Sequence, residues 1–404
     1  MLSTTLADQR HYVHQQAAKP MRLPARISAP CPMSPWKAIR HRQASASHRW
    51  AILLGCAATL AGCGGDPEPV TIGASGAWNW LGTSTDGIEL AVAEINASGG
   101  VRGRPLRIEY RDDDANGAKA AEIAQQFVAD PSIVAVIGHT TSGASLSAAA
   151  VYDGRLVAVS PSASSPVLSG ISPWFFRMIP SDLINGADLA RFTSAQGYQR
   201  VAIYYDNDNY GRGLMESFRQ SFAGEVVLND PLPDGGADFE PHVAYLMEVR
   251  PDLVFGATRT EHGLQLLNEA RRQGFEAQFI GGDSWAAIAE DSVVGPGVLI
   301  GMPFAAAGSD PEAQRFVKLF RERYGVDPDA FAALAYDATR LLARAMEEAG
   351  FRRSAVRDWL AGLDERTPFD GLKGPLYFSS GDPAGQSNVV VRVLHDGTTR
   401  EIWR

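Results

Sequence analysis

Two lobes of doubly wound α/β structure, each built on a parallel sheet, are predicted by three features of this sequence. Apolar runs at 133–137 (IVAVI) and 156–159 (LVAV) read as strands buried on both faces. Each empties into small, hydroxyl-rich residues, Gly138 to Ser145 after the first and Ser160 to Pro166 after the second. Amphipathic stretches alternate with short apolar runs from Val70 onward, and the alternation restarts after Asp182. In an open α/β sheet, ligands bind beyond the carboxyl ends of the strands. Two adjacent strand ends with serine hydroxyls and free backbone N–H groups, one of them opening a helix, make a receptor for a carboxylate. No nucleophile and base accompany them, so the pattern points to a binding site rather than an active site.

The elements follow in order. A first helix over 86–97 places Ile88, Ala91, Val92 and Ile95 on one face and stops at Ser98-Gly99-Gly100. A strand at 106–110 precedes a second helix over 118–129, with Ala120, Ile123, Ala124, Phe127 and Val128 as its stripe. After the two buried strands, helices are expected at 184–195, 213–222, 239–249 and 263–273. Strands at 201–205, 226–228, 252–256 and 278–281 interleave with them. Near 298–302 the chain turns back into helices at 311–324, 330–349 and 354–363, and strands at 375–378, 389–394 and 399–403 finish it. The expected division is 70–180 with 304–376 for lobe 1 and 181–303 with 377–404 for lobe 2.

The start of the chain is of another kind. Residues 51–62 form an uncharged apolar run, too short to span a bilayer and of the right length for a secretory signal. The run closes on Leu60-Ala61-Gly62-Cys63, which is similar to a bacterial lipobox; the alternative is a short buried strand that ends in Cys. Cys63 is therefore the expected lipidation site, with 1–62 as signal and 63–69 as a polar tether. Residues 1–50 carry eight Lys/Arg against one Asp, which is long for an n-region. Met33 is the expected start, with Met21 as a second candidate. Since the whole chain carries −9 and residues 1–50 carry +7, the part from Cys63 carries −16. That balance argues against nucleic acid or an anionic membrane surface as partner. Cys31 and Cys56 precede Cys63, so an exported domain of about 340 residues must be held by its core without disulfides. The eight His show no ligand spacing, and neither a metal nor a cofactor is expected.

Several motifs stand in a telling order. Gly87-Ile88-Glu89-Leu90-Ala91 runs on to Glu94-Ile95-Asn96-Ala97-Ser98-Gly99-Gly100-Val101-Arg102-Gly103, and Asp112-Asp113 follow. Further on stand Ser160 to Ser164, Phe176-Arg177 with Pro180-Ser181-Asp182, Tyr210-Gly211 and Gly281-Gly282-Asp283. From Val70 to about Leu394 the chain resembles the type I periplasmic binding proteins for branched-chain and other amino acids, the receptors of ABC importers. The resemblance implies two lobes joined by three crossover strands that close around a ligand like a hinge. It implies an α-carboxylate held by Ser142 and by the turn of Ser162, Ala163 and Ser164. It assigns the α-ammonium to Asp182 and Asp283, and places Tyr210 in the cleft. It also implies an envelope lipoprotein, monomeric, with permease and ATPase subunits as partners.

Blander roles stand beside these. Ser162 and Ser164 can be turn formers, Asp283 a solvated turn residue, Asp182 the cap of a helix before Ile184, and Tyr210 a packing residue. His139 reads as a hydrogen-bond partner within its loop. Arg259 stands where the branched-chain receptors have an aromatic residue. It must pair with a protein carboxylate, reach solvent or meet an acid on the ligand, because a buried unpaired guanidinium is costly. Trp78 and Trp80 follow the first strand and offer faces for apolar or cationic groups. An enzyme is disfavoured by the lack of a Gly-x-Ser-x-Gly elbow, a Walker loop or a Rossmann fingerprint. A ligand-sensing lipoprotein on the same fold is the other alternative.

Overall fold

The computed structural model describes residues 67–81, 83–233 and 238–403. The signal segment, the candidate starts, Cys63 and the beginning of the tether lie outside the described residues. The chain opens with β1 (Val70–Gly76), α1 (Ser84–Ala97), β2 (Leu106–Asp112), α2 (Gly117–Ala129) and β3 (Ile133–Gly138). It continues through α3 (Ser142–Tyr152), β4 (Ala158–Ser160) and β5 (Phe175–Arg177). These five strands form one parallel sheet in the order β2-β1-β3-β4-β5. The unbroken apolar run of β3 has a direct cause. Ala135 and Ile137 face the cluster built on α1, while Ile133 and Val136 face the one built on α2 and α3.

The second run comprises α4 (Asp182–Ala195), β6 (Arg200–Asp206), α5 (Asn209–Ser221), β7 (Glu225–Leu232), α6 (Glu240–Val249), β8 (Leu253–Ala257), α7 (Thr260–Gln273), β9 (Gln278–Gly281) and β10 (Leu299–Met302). Then come α8 (Pro311–Tyr324), α9 (Ala330–Ala349), α10 (Arg353–Ala361) and two small hairpins. The hairpins are β11 (Phe369–Gly371) with β12 (Gly374–Leu376), and β13 (Phe378–Ser379) with β14 (Asp382–Pro383). β15 (Val389–Val393) and β16 (Thr399–Trp403) complete a seven-stranded sheet ordered β16-β15-β10-β9-β8-β6-β7. The chain thus passes between the sheets three times, at 178–181, 303–310 and 377–388.

Several expectations need correcting. The second sheet is parallel only through β10; β15 and β16 are antiparallel, and the short turn between them permits no other pairing. β5 was not expected, because three residues give no periodicity; its pairing of Arg177 with Ser160 makes it a strand. The expected strand at 375–378 is instead parts of two hairpins. Helix α5 begins four residues before the expected 213, because the Asp208 carboxylate accepts the N–H groups of Tyr210 (3.0 Å) and Gly211 (2.9 Å). A 3₁₀ segment, Asp283–Glu290, follows β9 where none was expected.

α9 is the central support of the first sheet, buried along nearly its whole length. It packs so tightly on α1 that a Cβ at Gly87 would lie 2.1 Å from the carbonyl oxygen of Ala332. Among the described residues no helix is long and apolar enough to cross a membrane.

Candidate functional site

A cavity of about 350 Å³ lies where the carboxyl ends of the two sheets face one another. Its first wall is the amino end of α3. Thr141 takes the extended N-cap position without capping the helix through its side chain, and its Oγ1 is buried with no hydrogen-bond partner among the described residues. The first-turn N–H groups beside it have no intrahelical acceptor, by the geometry of any helix start. Ser142 Oγ accepts the N–H of Ser165 at 3.2 Å, which leaves the Ser142 proton to be donated elsewhere. Ser162 also lines the cavity, and its hydroxyl donates to the carbonyl of Thr140 at 2.7 Å. This wall is rich in neutral donors and lies at the positive end of a helix dipole, the setting a carboxylate requires.

The second wall carries the opposite charge. Asp283 begins the 3₁₀ segment after β9, is 4% exposed, and accepts the hydroxyl of Tyr210 at 3.1 Å. Two residues on, Trp285 is completely buried and donates from Nε1 to Thr258 Oγ1 at 3.0 Å. Its indole fits only because Gly256 and Gly281 flank it. A Cβ at these positions would stand 2.0 and 2.1 Å from the ring. The strand glycines thus seat Trp285, and Trp285 fixes the backbone that presents Asp283. Burial pushes the Asp283 carboxyl above the usual carboxylate range, while the Tyr210 hydroxyl opposes the shift.

Arg259 takes the N-cap position of α7 and lines the same cavity. Its Nε donates to Asp206 Oδ2 at 3.1 Å, and its backbone N–H donates to the same oxygen at 2.8 Å. Its NH2 group lies 3.9 Å from Asp208, and its guanidinium sits 5.6 Å from the centre of the Trp80 ring. Asp206 is fully buried and also shares a hydrogen bond of 2.5 Å with His262. The first of the three expected arrangements therefore holds. Arg259 is paired with protein carboxylates, and it meets Trp80 across the cavity.

Four expected ligand residues stand elsewhere. Ala163 donates its N–H to Ser160 Oγ (3.0 Å) and gives its carbonyl to Arg177, so neither group faces the cavity. Ser164 donates to Asp182 Oδ2 at 3.0 Å, and Asp182 also accepts from Asn185 Nδ2 at 3.1 Å. Both are buried behind the cavity at the joint of the lobes. Asp182 is the first residue of α4 and not its cap, a role filled by Ser181. Burial first, and the nearby Asp283 second, raise the Asp182 carboxyl. Trp78 turns to the outside of β2, donating to the Arg111 carbonyl at 2.9 Å and meeting Tyr110 edge-on. The turn after β1 sends the two tryptophans in different directions. His139 is engaged at Nδ1 by Asp113 (2.6 Å) and at Nε2 by Tyr152 (3.1 Å), as a loop hydrogen-bond partner should be.

Sequence reasoning missed Thr141, Leu81 and Phe331, which also line the cavity. Thr141 could have been found as the residue before an expected helix start. Phe331 could not, since it lies on α9, far along the chain from every strand end. A larger groove of about 1230 Å³ runs between α1, α9 and α10. Its arginines are engaged within the fold: Arg315 with Glu94, Arg344 with Glu348, and Arg102 with the end of α9. Size alone therefore does not mark it as the site.

Two lobes with a polar, oppositely charged cleft between the strand ends define a solute-binding protein. The family described as periplasmic binding protein matches residues 70–398, and the chain belongs to it, within the type I group that includes the Leu/Ile/Val-binding proteins. Leu/Ile/Val-binding protein homolog 2 of Brucella abortus is 29% identical over 309 residues, covering 74% of this chain and 82% of the relative. The Leu/Ile/Val-binding protein of Escherichia coli is 29% identical over 300 residues, covering 72% and 80%. The crystal structure of an ABC transporter substrate-binding protein from Desulfitobacterium hafniense in complex with Leu superposes with a TM-score of 0.73. It is 34% identical and covers 83% of this chain and all of that one.

Proposed function

We propose that this protein captures a neutral amino acid, as its zwitterion, between the lobes and delivers it to an ABC importer as an extracytoplasmic lipoprotein. The observation that carries the reading is the pairing of opposite walls in one small cavity. The buried Asp283–Tyr210 pair suits an ammonium. The unpartnered Thr141 hydroxyl, Ser142 and the α3 amino end suit a carboxylate. The remainder of the cavity disfavours an acidic side chain, and its apolar members suit an aliphatic one. Trp80, Leu81 and Phe331 are apolar, and Asp208 and Glu261 outnumber Arg259, whose charge Asp206 already balances. An acidic side chain would meet that excess of carboxylates. The leucine bound by the Desulfitobacterium hafniense relative is in keeping with this reading. A Ser142–His139 nucleophile pair is not supported, because both ring nitrogens of His139 are engaged, by Asp113 and Tyr152.

Calorimetry with L-leucine tests the site. Asp283→Asn and Ser142→Ala should each weaken binding by roughly ten- to a hundredfold, the loss of one charge-assisted hydrogen bond in a closed cleft. Both variants binding within about twofold of wild type would sink the assignment. The anchor is tested separately. Cys63→Ala should block incorporation of labelled palmitate and leave the precursor uncleaved, and normal processing of that variant would refute the lipoprotein reading.

A further inference from the structure

The two walls belong to different lobes, and their spacing decides whether one amino acid can touch both. Ser165 is tied to both walls. It is 1% exposed, and all three of its polar groups are engaged, its carbonyl also accepting the N–H of Leu168 at 3.1 Å. Its N–H donates to Ser142 Oγ on the carboxylate wall at 3.2 Å. Its hydroxyl donates to the carbonyl of Asn209 at 2.7 Å, one residue before Tyr210 on the ammonium wall. Its carbonyl accepts from NH1 of Arg177 at 2.9 Å. Arg177 is itself immobilised, fully buried, with Nε donating to Asp382 Oδ1 at 2.7 Å in the third connection between the lobes.

From this we infer that Ser165 is a positioning residue, which sets the distance between the two halves of the ligand site without touching the ligand. Two consequences follow from the geometry. By filling one lone pair of Ser142, the Ser165 N–H directs the Ser142 proton away from the turn. By holding Asn209, the Ser165 hydroxyl fixes the first turn of α5, and with it the Tyr210 hydroxyl that supports Asp283. The contact is close on both sides of it. A Cβ at Gly213 in α5 would stand 2.5 Å from Cδ of Pro166, so the helix seats directly on the turn. The backbone of Ser165, with φ −52° and ψ 137°, accepts alanine or threonine without strain.

The inference rests on the amino-acid reading above, and its test separates the two. Ser165→Ala removes only the tie to Asn209, and Ser165→Thr keeps a hydroxyl in place. Expected in calorimetry with L-leucine is about a tenfold loss for Ser165→Ala and near wild-type affinity for Ser165→Thr. In solution scattering of the ligand-free proteins, Ser165→Ala should show the larger radius of gyration, with Ser165→Thr restoring the wild-type value. A residue that merely stabilises the fold would lower the melting temperature while leaving the scattering unchanged. Ser165→Ala indistinguishable from wild type in scattering, or Ser165→Thr as weak a binder as Ser165→Ala, overturns the inference. Should wild type fail to bind L-leucine, the amino-acid reading falls, and the scattering comparison alone decides the role of Ser165.

Discussion

Asp283 shows how a single side chain is prepared by its surroundings. Burial holds its carboxyl above the usual carboxylate range, and Tyr210 supplies a hydrogen bond that favours the ionised form. An ammonium ligand requires that ionised form. The free site therefore keeps a proton at a pH where an exposed aspartate, near 3.9, has lost it, and the ligand must displace that proton. Affinity should fall as the pH is lowered from 7.5 towards 5, and binding in that window should release protons. Calorimetry in buffers of different ionisation enthalpy measures the release; a pH-independent affinity would contradict it. Asp182 carries a related prediction of the opposite kind, since it does not line the cavity. Its folded-state pKa is raised, so its contribution to stability is fully present at low pH and is lost as pH rises through that raised value. Asp182→Asn should consequently raise the melting temperature of the ligand-free protein more at pH 8 than at pH 5.

At the scale of elements, the site depends on how helices and strands begin and end. Tyr210 reaches Asp283 because Asp208 starts α5 four residues earlier than the hydrophobic stripe alone would place it. Asp208→Ala should cost about 0.5–2 kcal/mol of stability through loss of the cap and should also weaken binding through Tyr210. Urea unfolding and calorimetry on one preparation would measure both, and unchanged binding would separate the cap from the site. The Trp285 slot is a sharper case. Gly281→Ala forces a methyl group against a ring that has no free volume, an overpacking of about 1–3 kcal/mol. Its effect on ligand affinity should exceed that of a Gly87→Ala substitution of similar stability cost, because only Gly281 adjoins the segment that presents Asp283.

For the whole molecule, the proposed function turns on the two sheets and the three segments between them. A ligand shifts the open and closed forms only by its differential affinity for the closed one. Ligands that engage both walls should therefore reduce the radius of gyration in solution scattering. A simple carboxylate without an ammonium should reduce it less, for want of a partner for Asp283. The contact of Arg259 with Trp80 joins the same two lobes at the cavity. Arg259→Ala leaves the buried Asp206 short of a partner and so should weaken all ligands together, acidic and aliphatic alike. Selective loss of acidic ligands would instead show that the guanidinium meets the ligand.

Sequence by itself determined the alternation of strands and helices, the two sheets, and the strand ends that meet at the cavity. These are local properties, written as runs buried on both faces and as stripes at helical spacing. Ser142 and Ser162 were legible as cavity residues because each lies just beyond a strand end, whereas Tyr210, Arg259, Asp283 and Trp80 were legible only through the family resemblance. The turn of 162–166 was only half legible. Ser162 faces the cavity, while Ala163, Ser164 and Ser165 turn to Ser160, Asp182 and Asn209, a choice made by partners up to 44 residues away. Tertiary structure alone decided that Asp182 lies behind Asp283, that Trp78 faces outward, that Phe331 arrives from α9, and that Arg259 is already paired. Each of these depends on which distant group reaches a side chain first. A hydrogen bond or an ion pair is decided by distances in space, and a sequence records only distances along the chain.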